Sequence, residues 1–276
     1  MSAKPNIKTL YVSDLDGTLL RGDERISDFT SETINELVGK GMLFSYATAR
    51  SFQTAGKVTG NIRMHIPAIV YNGTFVVDSV TGEPIISNFF DDDINLLLED
   101  LLAHDIYPMV YSRRDRERFS FVGDRCSRGM VKFLDTREGD PRRTEVKSEK
   151  ELFGSGIFYM TCIDDEQKLA PMYDKYREKY NLVFADDVYS GERWLEFMPK
   201  SASKSQAILQ LKELLKCDRV VSFGDGVNDS DMFRVSDECY ALENAVDNLK
   251  AIATGVINSN NDDGVAKWLR ENAPIT

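Results

Sequence analysis

Histidine is almost missing from this chain: His65 and His104 are the only two in 276 residues. Neither stands in an Arg-His-Gly context, so chemistry built on a histidine pair is excluded, and His104 reads as the polar end of a leucine-striped helix. Cysteine is sparse and scattered. Cys126, Cys162, Cys217 and Cys239 form no Cys-x-x-Cys pair, which argues against a zinc site or disulfide framework and fits a reducing compartment. None has arginine six positions later, and no Gly-x-x-x-x-Gly-Lys-Ser/Thr run exists, so a thiol-based phosphate loop and that class of nucleotide site are absent. No apolar run approaches the roughly eighteen residues of a membrane span, and the N-terminus lacks the apolar stretch of a secretory signal. A cytoplasmic protein is expected.

Positive charge is also in short supply. Lys and Arg total 34 against 45 Asp and Glu, a net charge of -11 that disfavours nucleic acid and anionic membranes as partners. An anionic substrate would need a bound cation or local basic groups to reverse that field. Hydrophobic content of 42% and charged content of 29% are those of an ordinary soluble protein. The length suits one large domain or two modest ones, with a core that needs no staple.

Short apolar runs alternate with amphipathic stretches, the rhythm of an α/β protein with a doubly wound, Rossmann-like parallel sheet. Strands are expected at Thr9–Ser13, 42–47, 68–71, 219–223, 239–242 and 256–258. Helices are expected at 30–40, after Ser203 (a natural N-cap), at 246–253 and at 265–271. A different stretch follows the turn Thr81-Gly82-Glu83-Pro84. It holds a helix striped by Ile94, Leu97, Leu98, Leu101 and Leu102, then strands at 106–111, 118–122, 157–163, 182–185 and 194–198. Between them lie a basic region (113–118), a turn-rich segment (137–150) and a helix at 171–180 with Pro171 near its first turn. The simplest division is a core of 1–82 and 199–276 interrupted by an inserted α+β domain, 83–198.

Two acidic clusters follow strands. Asp14-Leu15-Asp16-Gly17-Thr18 closes the first, where open α/β sheets bind ligands, and its glycine permits a sharp departure. An EF-hand is a poor match, since its glycine belongs at position six between two helices. Gly224-Asp225-Gly226-Val227-Asn228-Asp229 closes another strand. If the two strands are neighbours, Asp14, Asp16, Asp225 and Asp229 share a crevice whose oxygen donors suit magnesium. Each cluster alone is also an ordinary turn or helix cap. Thr48, Lys204 and the Asn72-Gly73 turn are weak signals singly.

Taken in order, Asp14-Leu15-Asp16-Gly17-Thr18, Thr48, Lys204 and the 224–229 cluster resemble the haloacid dehalogenase superfamily, in its Cof-type phosphatase branch. Ala47-Thr48-Ala49-Arg50, Tyr71-Asn72-Gly73, Ser203-Lys204 and Asn261-Asp262-Asp263-Gly264-Val265-Ala266 support the likeness, and Ala49 departs from it, glycine being usual there. The insert matches a type IIB cap in placement and size. The resemblance implies magnesium-dependent dephosphorylation of a small metabolite, a sugar phosphate above all. Asp14 would be the nucleophile and Asp16 the general acid and base. Thr48, Ala49, Lys204 and Asn228 would bind phosphate. Asp14, the Asp16 carbonyl and Asp225 would hold magnesium, with Asp229 behind them. A phosphotransferase, a phosphatase for one sugar phosphate only, and a non-catalytic phosphate sensor are the alternatives. In the insert, Arg113, Arg114, Arg116 and Arg118 suit either a second anionic group or plain solvent, and Tyr189, Glu192 and Trp194 are candidates to face substrate. Oligomeric state is not legible.

Overall fold

The computed structural model describes residues 7–186 and 192–273. The chain divides into two compact units, Met1–Ser87 with Ser203–Thr276, and Asn88–Ala202.

Five parallel strands form the main sheet of the first unit. In spatial order they are Gly255–Ile257, Glu238–Leu242, Arg219–Gly224, Thr9–Ser13 and Leu43–Tyr46. Their runs are near-continuously apolar because both faces are covered. On one face Leu10, Val12 and Val220 pack with Ala207, Ile208 and Leu211 of the helix Lys204–Leu215. On the other, Tyr11, Phe223 and Tyr240 meet Trp268 of the helix Gly264–Asn272, with ring centroids 6.5, 5.2 and 4.4 Å away. The chain leaves Thr9–Ser13 for Leu43–Tyr46 on one side and returns to Arg219–Gly224 on the other. The strand order therefore reverses beside Thr9–Ser13, and the carboxyl ends there are where open α/β sheets bind ligands.

The inserted unit carries a six-stranded sheet in the order Asn181–Asp186, Arg193–Met198, Ile157–Ile163, Met109–Arg113, Glu117–Val122 and Arg143–Val146. Only the last pair is parallel. The helices Ile94–Ala103 and Glu166–Tyr176 bury Leu97, Leu98, Leu101, Leu169 and Met172 against Val110, Met160 and Leu195.

Some expectations shift. The chain passes between the units at Ser87/Asn88 and Ala202/Ser203, a few residues later than read from sequence; at the first of these, Pro84–Ser87 pairs with Phe75–Val77 in a small antiparallel sheet of the first unit. The helix expected at 171–180 runs from Glu166 to Tyr176, which puts Pro171 in its interior. Glu166 favours the earlier start by meeting the positive end of the helix dipole. The turn-rich 137–150 segment contains the edge strand Arg143–Val146. The basic region is a hairpin: Arg113 pairs with Glu117, Ser112 with Arg118, and Arg114 Nε donates to the Ser155 carbonyl at 3.1 Å.

Candidate active site

Strand register assembles the site. Ser13 lies level with Phe223 on one side and Tyr46 on the other, so Asp14, Gly224 and Ala47 leave the sheet together. The Asp14 N–H donates to the Phe223 carbonyl and the Ala47 N–H to the Ser13 carbonyl, both at 2.9 Å. The loop after Asp14 turns at Gly17, whose φ is +76°. A Cβ there would stand 2.2 Å from Asp225 Oδ2, so glycine alone lets the two acidic clusters approach.

Asp14, Asp225 and Asp229 are buried, and a carboxylate oxygen from each falls within 4.8 Å of the others. Lys204, 2% exposed, donates from Nζ to Asp14 Oδ1 at 2.6 Å and to Asp229 Oδ1 at 2.7 Å. Burial alone would depress its ammonium, but Asp14 and Asp229 overcome that and hold it above the ordinary lysine value. Burial lifts the Asp14 carboxyl well above the usual carboxylate range, and the neighbouring carboxylates add to the effect against the pull of Lys204. Burial and Asp229 push Asp225 up to about 7.

The hydrogen bonds show where charge is uncompensated. Asp229 Oδ2 accepts the N–H groups of Asp225 at 3.0 Å and Gly226 at 2.9 Å, so Asp229 is fully engaged. Asp225 Oδ1 accepts from Thr18 Oγ1 at 2.7 Å. Asp14 Oδ2 and Asp225 Oδ2 accept no hydrogen bond among the described residues. Three buried carboxylates beside one ammonium that bonds two of them, with an unengaged oxygen on Asp14 and another on Asp225, fit a hard divalent cation. Asp16 stands apart from this triad. Its carboxylate is held by Arg50, with Nε 2.9 Å from Oδ2 and Nη2 2.5 Å from Oδ1, and Arg50 also reaches Glu24 at 2.8 Å. Sequence reading gave Arg50 no role; its place two residues after Thr48 was the available signal.

Thr48 is fully buried; its N–H donates to the Ile69 carbonyl and its Oγ1 accepts the Arg50 N–H, each at 3.1 Å. Ala49 is not among the positive-φ residues, so its methyl fits the backbone that glycine usually supplies. Tyr71, Asn72 and Gly73 all have positive φ. A Cβ on Gly73 would lie 2.0 Å from the Ser203 carbonyl, so this turn is what lets the helix bearing Lys204 start so close. Asn228 Nδ2 donates to Asn72 Oδ1 at 3.4 Å. In the inserted unit, Glu192 is ion-paired with Lys132, and the half-buried Trp194 packs edge-on against Phe133 at 5.1 Å. Tyr189 lies outside the described residues.

A family profile described as haloacid dehalogenase-like hydrolase matches residues 11–269. A 5-amino-6-(5-phospho-D-ribitylamino)uracil phosphatase of Bacillus subtilis is 27% identical over 279 residues, covering 93% of this chain and 95% of its own. A haloacid dehalogenase-like hydrolase from B. subtilis superposes with a TM-score of 0.78 at 20% identity, covering 96% of this chain and 99% of its own. A sugar phosphatase of subclass IIB of the superfamily superposes with a TM-score of 0.76 at 19% identity, covering 96% and 98%. With the acidic cluster at the switch point, these findings establish that the chain belongs to the haloacid dehalogenase-like hydrolases, as an enzyme of their phosphatase branch.

Proposed function

We propose that this chain is a magnesium-dependent phosphomonoester hydrolase that works on small phosphorylated metabolites through an aspartyl-phosphate on Asp14. The observation that carries the reading is the buried Lys204 ammonium 2.6 Å from one Asp14 oxygen while the other oxygen stays unengaged. In this reading Asp14 Oδ2 attacks phosphorus as the ester P–O bond breaks. Asp16, which must enter the reaction as the acid, gives its proton to the leaving oxygen and, as the carboxylate, later takes one from the water that hydrolyses the aspartyl-phosphate. Arg50 fixes where the Asp16 carboxylate stands. The Thr48 hydroxyl, the Ala49 N–H, Lys204 and the Asn228 amide hold the phosphoryl group. Magnesium, held by Asp14, the Asp16 carbonyl and Asp225 with Asp229 behind them, would neutralise phosphoryl charge.

The inserted unit is assigned the cap role, excluding water and choosing the leaving group. A sugar phosphate is the favoured substrate class, supported by the subclass IIB sugar phosphatase that shares the fold. A phosphoribitylamino compound is the second reading, supported by the B. subtilis relative of known name. A cytoplasmic site of action is supported by four unpaired cysteines and by the absence, among the described residues, of any helix long and apolar enough to cross a membrane.

The test is inorganic phosphate release from a panel of sugar, polyol and ribitylamino phosphates, with magnesium and with chelator. Magnesium-dependent release that Asp14→Asn abolishes is expected. Activity retained in Asp14→Asn would sink the nucleophile assignment. Transfer to an added alcohol in place of water would make the protein a phosphotransferase, and silence across the panel from folded, metal-loaded protein would favour a sensor.

A further inference from the structure

The motif at 261–266 and the Asn244 turn before it take no part in the chemistry above, yet they hold the loop that does. Asn244 follows the strand Glu238–Leu242, at the same edge of the sheet as Asp225. Its Nδ2 donates to the Gly17 carbonyl at 2.7 Å, and its Oδ1 accepts the Asn260 N–H at 3.0 Å. Two residues on, the Val246 N–H donates to the Asp225 carbonyl at 3.0 Å. Asn260, itself buried, donates from Nδ2 to the Leu20 carbonyl at 2.8 Å. Asn261 Oδ1 accepts the Gly22 N–H at 3.0 Å, and Asp263 binds Arg21 at 2.6 Å. The loop that leaves Asp14 is thus stapled along its length to one C-terminal segment.

The staple at Gly17 matters most. Position 17 must be glycine because a Cβ would strike Asp225. Glycine is also the residue with the greatest backbone freedom, so it cannot hold its own conformation. A restraint has to come from outside, and the Asn244 amide is the side chain that reaches its carbonyl. That carbonyl belongs to the Gly17–Thr18 peptide, from which Thr18 Oγ1 reaches Asp225 Oδ1 at 2.7 Å. One exposed amide therefore sets both the backbone that follows Asp16 and the hydroxyl that orients Asp225.

We infer that Asn244 is a positioning residue for the cation site: by pinning the Gly17 carbonyl it presents the Asp16–Thr18 backbone and Asp225 to the metal in binding geometry. The inference rests on the magnesium reading proposed above. Asn244 is itself exposed, so what its loss costs the fold is limited to the one bond to the Asn260 N–H, and the larger effect falls on metal affinity. Partners that orient metal ligands without touching the metal carry about 10- to 100-fold in affinity or activity.

The experiment titrates magnesium alone into chelator-stripped full-length protein by calorimetry, for wild type, Asn244→Ala, Asn244→Leu and Asn261→Ala. Asn244→Leu keeps the bulk of the side chain and removes the donor, while Asn261→Ala cuts only the distant bond at Gly22. Melting in chelator reports the fold. Both Asn244 variants are expected to weaken magnesium binding about 10-fold or more, with melting in chelator close to wild type, and Asn261→Ala to change the affinity less than about 2-fold. Wild-type affinity in Asn244→Leu, or a lowered melting point with unchanged affinity, would show a bond that is structural only and overturn the inference alone. A wild type that takes up no magnesium would overturn the reading beneath it as well.

Discussion

Removing the Lys204 ammonium would leave Asp14 and Asp229 buried without their shared partner, because that one group bonds both. Breaking a buried ion pair from one side typically costs about 3–5 kcal/mol, since the abandoned charge stays desolvated. Lys204→Met is therefore expected to lower unfolding stability in chelator by about that amount, read from urea denaturation. A loss below about 1 kcal/mol would show that the carboxylates relieve themselves by taking up protons. The same residues set a pH dependence. Asp225 titrates near 7 in the folded protein against an ordinary value of 3.8, so without metal its contribution to stability is full below about pH 4, is lost as pH rises through 7, and is flat above. Magnesium must displace that proton, so the rise in melting temperature on adding magnesium should be larger at pH 8 than at pH 5.5. An equal rise at both values would place the metal elsewhere.

Single elements show how local chemistry becomes site geometry. The helix Lys204–Leu215 begins at Ser203, whose Oγ accepts the Gln206 N–H at 3.1 Å, and its first residue is the buried lysine. Ser203→Ala should cost about 1 kcal/mol of stability, and it should reduce turnover further because the cap sets where the lysine begins. Unchanged kcat beside the expected drop in melting temperature would confine Ser203 to capping. Elements of this kind were legible from sequence because one signal dominated: continuous apolar runs for Thr9–Ser13 and Ile157–Ile163, a serine cap for this helix, a leucine stripe for Ile94–Ala103. The edge strand Arg143–Val146 was not, since an edge strand facing solvent needs no apolar pattern. The acidic clusters were visible as clusters, but Arg50 on Asp16 and Asn244 on Gly17 join residues 34 and 227 positions apart, and no local pattern encodes such pairs.

At the level of the whole chain, every carboxylate of the triad, Lys204 and Asn244 belong to the first unit, while the inserted unit has its own apolar core. A ligand that binds the native state protects what it holds. Magnesium should slow amide hydrogen exchange in Thr9–Ser13 and Arg219–Gly224 and leave Ile157–Ile163 and Met109–Arg113 unchanged. Equal protection in both units would mean that metal binding is felt across the whole chain.

The pairing of Thr9 with Arg219 has a consequence for how the protein is made. At roughly 5–20 residues per second, a ribosome needs about 10–40 s to travel from one strand to the other. Through that interval the nascent Thr9–Ser13 strand, apolar on both faces, can gain Leu43–Tyr46 on one side and nothing on the other. The inserted unit, continuous in sequence, is complete before the strand that leads into Asp14 has its second neighbour. The segment that ends in Asp14 is thus among the first to emerge and among the last to be sheltered, and it is there that a slowed or truncated synthesis would leave an adhesive edge.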